Sequence, residues 1–135
     1  MPDAEHEETA PQSSTLIIRK MVCSLVGKSE PIKIVLGTLA YRSYGKETST
    51  EQFCCSYGLN PDYLETIARS GLNISAVGPD GEARIAELSG RRFFLATLFL
   101  PQLSSTAEEP HPLITAYLKA ALEYQTLADG SILRK

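Results

Sequence analysis

An α/β domain is what this sequence predicts, on three observations. Runs of β-branched and aliphatic side chains at residues 15–26, 31–35 and 93–100 read as strands. A Pro79-Asp80-Gly81 turn between two further short apolar stretches is a strong hairpin signal. Residues 61–70 and the stretch following His111 carry helix signals. At 135 residues, 43% hydrophobic and 21% charged, the chain has room for one core and one domain.

Residues 1–14 hold four acids and little to bury, so a disordered arm or a surface loop is expected there, with the domain itself over 15–135. "TLIIRKMVCSLV" and "PIKIV" flank the polar break "GKSE", the pattern of a β-hairpin. The first run does not alternate cleanly, which predicts a strand covered on both faces. "GTLAYRSYG" allows a short helix between Gly37 and Gly45, and "TSTEQFCCSY" leans towards strand in its second half.

"NPDYLETIARSGL" is the clearest helix. Asn60 can cap it, Pro61 suits the first helical position, Asp62 complements the positive end of the dipole, and Gly71 suits a left-handed ending. "FFLATLFL" is dense enough for a central strand. In "HPLITAYLKAALEYQ", Leu113, Ile114, Tyr117, Leu118, Ala121 and Leu122 fall at helical spacing. Their burial would contribute roughly 1.5–3 kcal/mol for each large side chain, which makes this closing helix part of the core.

Thirteen basic against sixteen acidic residues give a formal charge of −3, with no basic block beyond Arg91-Arg92. A nucleic-acid partner therefore has no electrostatic footprint. No apolar run reaches the ~20 residues of a membrane helix, and "MPDAEHEETAPQSS" lacks the basic and apolar regions of a signal peptide. A cytoplasmic protein without a membrane partner is expected, its three cysteines reduced.

From "GTLAYRSYGKE" to "KAALEY" the order of the pieces resembles the C-terminal half of a class I glutamine amidotransferase domain, of the CTP synthase type. "EQFCCSYGLNP" stands where that family has a strand rich in arginine and histidine running into Tyr-Glu-Val-Asn. A helix, the hairpin "SGLNISAVGPDGEARIAEL" and a strand at the place of Gln-Phe-His-Pro-Glu follow, and then "HPL" opens the last helix. The resemblance covers Leu36 to Tyr124, about two thirds of the chain. It implies a flavodoxin-like sheet with β-hairpin additions, here an incomplete domain, and a link to pyrimidine nucleotide biosynthesis.

The departures bear on chemistry. "LFLPQ" puts Leu100 at the place of the family's general-base histidine and Gln102 at that of its orienting glutamate. Leucine accepts no proton, and a neutral amide does not hold an imidazolium by charge. None of Cys23, Cys54 or Cys55 lies in a Gly-x-Cys-x-Gly elbow, and "QFCCS" replaces the family's basic run, whereas Tyr57, Asn60 and Pro61 keep its pattern. Tyr57 and Asn60 are thus the candidate ligand-binding residues.

Cys54-Cys55, at the end of a strand, would point to opposite faces, so that at most one faces a pocket. They read either as small core residues or as a replacement nucleophile, with His111 as a base or as a packing and capping residue. Their spacing does not suit zinc, "GPDGE" lacks the context of a phosphate loop, and no cofactor is implied.

Three functions stay open. One is a pseudoenzyme that binds or regulates, another a cysteine-dependent amidohydrolase or amidotransferase using Cys54 or Cys55, and the third a fragment of a longer glutamine amidotransferase. A half-domain would leave an apolar edge of a parallel sheet unpaired, so the expected partner is a second copy, as a dimer, or a missing N-terminal half-domain.

Overall fold

A computed structural model describes residues 3–132, with side chains described through residue 127. In chain order the elements are β1 (Glu5–His6), β2 (Leu16–Lys20), β3 (Lys28–Ile34), α1 (Leu39–Tyr44), β4 (Thr48–Phe53), β5 (Tyr57–Leu59), α2 (Leu64–Arg69), β6 (Leu72–Val77), β7 (Ala83–Leu88), β8 (Leu95–Thr97) and α3 (Pro112–Ile132). Single 3-10 turns lie at Pro61–Tyr63 and Pro101–Leu103. The strands form a five-stranded sheet, β4-β3-β6-β7-β8, and a three-stranded one, β1-β2-β5. Every pairing in the larger sheet is antiparallel, and only β1 and β2 run parallel.

Alternation places the core of the larger sheet. In β3 the inward set is Glu30, Ile32 and Ile34; on β4, Glu51 and Ser49 stand opposite Glu30 and Ile32, and Phe53 stands opposite Lys28. Pro31, which has no N–H to give, lies in the part of β3 that pairs with β4 alone, before β6 joins at Lys33 and Ile34. α1 closes over this face, with Ala40 and Tyr44 buried beside Ile85, Phe53 and Phe99. Thr38 caps α1 by accepting from the Tyr41 N–H, and the Glu87 carboxylate on β7 accepts from the Leu39 and Ala40 N–H groups at 3.0 and 3.1 Å.

Local signals gave α2 and the hairpin. Asn60 Oδ1 accepts from the Asp62 N–H at 3.1 Å and so caps the 3-10 turn Pro61–Tyr63 that leads into α2, whose own first residue follows Tyr63 without a side-chain cap. The chain leaves α2 through Gly71 at φ +87°, where a side chain would be strained. Pro79-Asp80-Gly81 turns β6 into β7. Behind that turn Arg84 is 1% exposed, its guanidinium 5.6 Å from the centre of the Phe53 ring and 2.9 Å from Asp80 Oδ2. Glu82 and Glu30 stand at 3.6 and 3.9 Å. Gly78 makes room for it, because a Cβ there would meet Arg84 Nη2 at 2.7 Å.

Five expectations need correction. β2 and β3 form no hairpin, since they belong to different sheets. The strand predicted over 15–26 ends at Lys20 because Met21, Leu25 and Gly27 donate instead to the carbonyls of Ser56, Cys55 and Phe53, bridging the sheets. β2 itself is half-buried along most of its length, not covered on both faces. "FFLATLFL" supplies only Leu95–Thr97, at the sheet edge and not its centre, since β7 pairs with just those residues.

The apolar face of α3 is the last correction. Leu113 is buried and Ile114 half-buried, but Tyr117, Leu118 and Leu122 are exposed, as are Tyr124 and Leu127 further along. The helix outruns the sheet it packs on. Residues 3–14 run as a surface loop in which Glu5–His6 pairs with β2 and the Glu7 carboxylate accepts from the Lys20 N–H. Of the two predicted segments, 1–14 and 15–135, residues 1–2 and 133–135 lie outside the described residues.

Candidate functional site

β4 carries its most polar inward residue, Glu51, two positions before Phe53 and 1% exposed. α1 ends beside it with Tyr44, and the turn before α3 brings His111. Tyr44 Oη donates to Glu51 Oε1 at 2.7 Å, and His111 Nε2 lies 3.0 Å from Glu51 Oε2. His111 Nδ1 accepts from the Leu113 N–H at 3.2 Å and so serves a free donor at the start of α3. That assigns the proton to Nε2, which donates to the carboxylate.

Phe99 and Tyr44 pack on the His111 ring, at centroid distances of 6.1 and 5.7 Å. Burial pushes the Glu51 carboxyl up, but the hydrogen bonds from His111 and Tyr44 outweigh it and hold the group below its ordinary value. Tyr44 moves far up, first through burial and then through donating to Glu51, so it stays protonated. All the ring hydrogen-bonding capacity of His111 is thereby spent inside the fold.

Elsewhere the predicted residues lie apart from this cluster. Leu100 is 38% exposed and Gln102 is exposed in the following 3-10 turn. The Leu100 N–H donates to the Gln52 carbonyl at 3.3 Å, joining this segment to β4 just ahead of Cys54-Cys55. The two cysteines follow the last residue of β4, so the strict opposite-face rule of a strand does not govern them. Cys54 is exposed, and Cys55 is half-buried with its Sγ 3.0 Å from the Tyr57 carbonyl.

Among the described residues no histidine nitrogen is hydrogen-bonded to a cysteine sulfur. His6 instead packs against Tyr57, with ring centroids 4.9 Å apart. Cys23 is exposed. Tyr57 is half-buried in β5, while Asn60 is buried and also donates from Nδ2 to the Leu16 carbonyl at 2.8 Å, which ties β5 to β2.

Sequence reasoning missed Glu51 and Tyr44. Only the period of two counted back from Phe53 pointed Glu51 inward, and nothing local paired it with His111, 60 positions on. A cavity of about 470 Å³ lies between α1 and α3, and none of Leu100, Gln102, Cys54 or Cys55 lines it. Among the described residues no cluster of His, Cys, Asp and Glu is placed to hold a metal ion, and no helix is long and apolar enough to cross a membrane.

The architecture is that of a glutaminase domain. The solved glutaminase domain of Trypanosoma brucei CTPS, with bound acivicin, superposes with a TM-score of 0.83 at 28% identity, covering 90% of this chain and 52% of that one. The fold is therefore of the class I glutamine amidotransferase kind, mixed α/β with curled sheets.

Among curated proteins the chain is similar to the CTP synthase of Pyrococcus horikoshii, 42% identical over 97 residues, and to that of Pelotomaculum thermopropionicum, 44% identical over 98. Those matches take in 70% and 72% of this chain. Within its class the chain is a glutamine amidotransferase domain of the CTP synthase type. It spans 18% of the length of those two curated relatives. No protein-family model matches the chain.

Proposed function

We propose that this CTP-synthase-type domain performs no glutaminase chemistry of its own and acts as a binding or regulatory module linked to pyrimidine nucleotide biosynthesis. The observation that carries the reading is the strand end at Leu100 and Gln102, where neither side chain is titratable. Support comes from His111, whose ring nitrogens are engaged by Glu51 and the Leu113 N–H and leave none for a thiol.

The test is ammonia release from glutamine by the full chain, beside Cys54→Ser and Cys55→Ser variants. Release at the buffer blank is expected. Turnover that disappears with either substitution would instead establish the cysteine-dependent amidohydrolase, and turnover that survives both would require another nucleophile.

Two surfaces favour a second, compatible reading. β8 has a free edge among the described residues, and α3 exposes Tyr117, Leu118 and Leu122. Together with the 52% coverage of the Trypanosoma brucei domain, they fit a partner polypeptide that supplies the remainder of a glutaminase-type domain. Sedimentation of the full chain, alone and with Leu118→Glu and Leu122→Glu changes, tests this. Apolar association abolished by the two changes supports a partner at this face, and a mass of twice 14.7 kDa makes that partner a second copy. Unchanged monomers in both samples would exclude a second copy as that partner.

A further inference from the structure

The cavity between α1 and α3 runs against the charge of the chain. The protein is acidic overall, at −3, yet this cavity gathers Arg42, Arg92 and Lys119 around a single acid, Glu123. The three cations come from three separate places, α1, the segment before β8, and α3. One solvated helix face does not account for them. None of the three forms an ion pair among the described residues.

Two of the cations are already positioned. Arg42 Nη1 donates to the Gly37 carbonyl at 3.1 Å, and the Arg92 guanidinium sits 5.3 Å from the centre of the Tyr124 ring. Each keeps further N–H donors in a rigid planar fork, the geometry that suits phosphate oxygens. Phe93 and Pro112, both half-buried, add an apolar wall. At about 470 Å³ the space is that of a small-molecule site.

We propose that this cleft binds a small phosphate monoester with an apolar body, its dianion held by Arg42, Arg92 and Lys119 and its body resting on Phe93 and Pro112. Three cations around one carboxylate leave an excess of positive charge, and a bound dianion offsets it. The site is separate from the strand end at Leu100 and from both cysteines, so it stands whether or not the domain hydrolyses glutamine.

The test is an NMR titration of the full chain with phenyl phosphate, with phenol as the uncharged control. Saturable shifts at the amides around Arg42, Arg92 and Lys119 are expected with the phosphate and not with phenol. The exposed positions allow a double Arg92→Gln, Lys119→Gln variant, which should keep the wild-type urea midpoint and bind phenyl phosphate at least about tenfold more weakly. Equal binding by phenol, equal binding by the folded variant, or shifts that never saturate would each overturn the proposal. If the double variant fails to fold, Lys119→Gln alone provides the same comparison.

Discussion

Two neighbouring stretches meet where the Leu100 N–H reaches the Gln52 carbonyl, and they carry opposite chemistry. On the β4 side, Glu51 is buried and engaged by two side-chain donors. On the other, Leu100 and Gln102 stand exposed with nothing to titrate. The difference teaches that hydrogen-bond capacity, more than residue type, sets what a histidine can do. His111 has a carboxylate beside it, as a general base would, but its second nitrogen is occupied by the Leu113 N–H and no sulfur is bonded to it.

The hardest blow to this contrast is His111→Ala. It strands the Glu51 carboxylate in the core, removes the helix-start acceptor and opens space beside Phe99, so a loss of about 3–5 kcal/mol is expected from urea unfolding. His111→Gln, which retains a donor, should lose less. A loss under about 1 kcal/mol for His111→Ala would mean that the network does not hold the fold together.

Acid sharpens the same side. Glu51 is held below its ordinary value of 4.5, so its contribution is fully present above that value and disappears as pH falls through the lower, folded-state value. The neighbouring groups are His111, Tyr44 and, across the strand pair, Glu30. Glu51→Gln should therefore flatten the fall of stability below about pH 4.5, read by circular dichroism across a pH series. An unchanged slope would exclude Glu51 as its source.

Asn60→Ala removes the cap on Asp62 and the tie to Leu16 together, with an expected cost of about 1–2 kcal/mol in urea. The smallest effect belongs to the exposed strand end. Leu100→His with Gln102→Glu should change stability by no more than about 0.5 kcal/mol and leave the iodoacetamide reactivity of Cys54 and Cys55 as it was. A clear rise in thiol reactivity would place a histidine at position 100 within reach of a cysteine and break the contrast.

How much was legible followed the range of the interaction. The Asn60-Pro61 start, the left-handed Gly71 and the Pro79-Asp80-Gly81 turn act within a few residues, so their chemistry is written in adjacent letters. The Glu51–His111 pair was not, because two residues 60 positions apart show no local sign of meeting. The β2–β3 hairpin failed for a related reason. Two apolar runs around a glycine state that strands exist but not which neighbour each takes, and here residues 21–27 bond to the 53–56 segment instead.

By itself the sequence determined the strand and helix signals, the family resemblance and the absence of a titratable side chain at Leu100 and Gln102, since each depends on residue identity and short spacing. Only the tertiary structure decided that the apolar face of α3 runs past the core, that Arg84 lies buried among three carboxylates, and that Arg42, Arg92 and Lys119 share one cleft. Burial and charge proximity are properties of packed surfaces, and a chain acquires them when distant segments exclude water together.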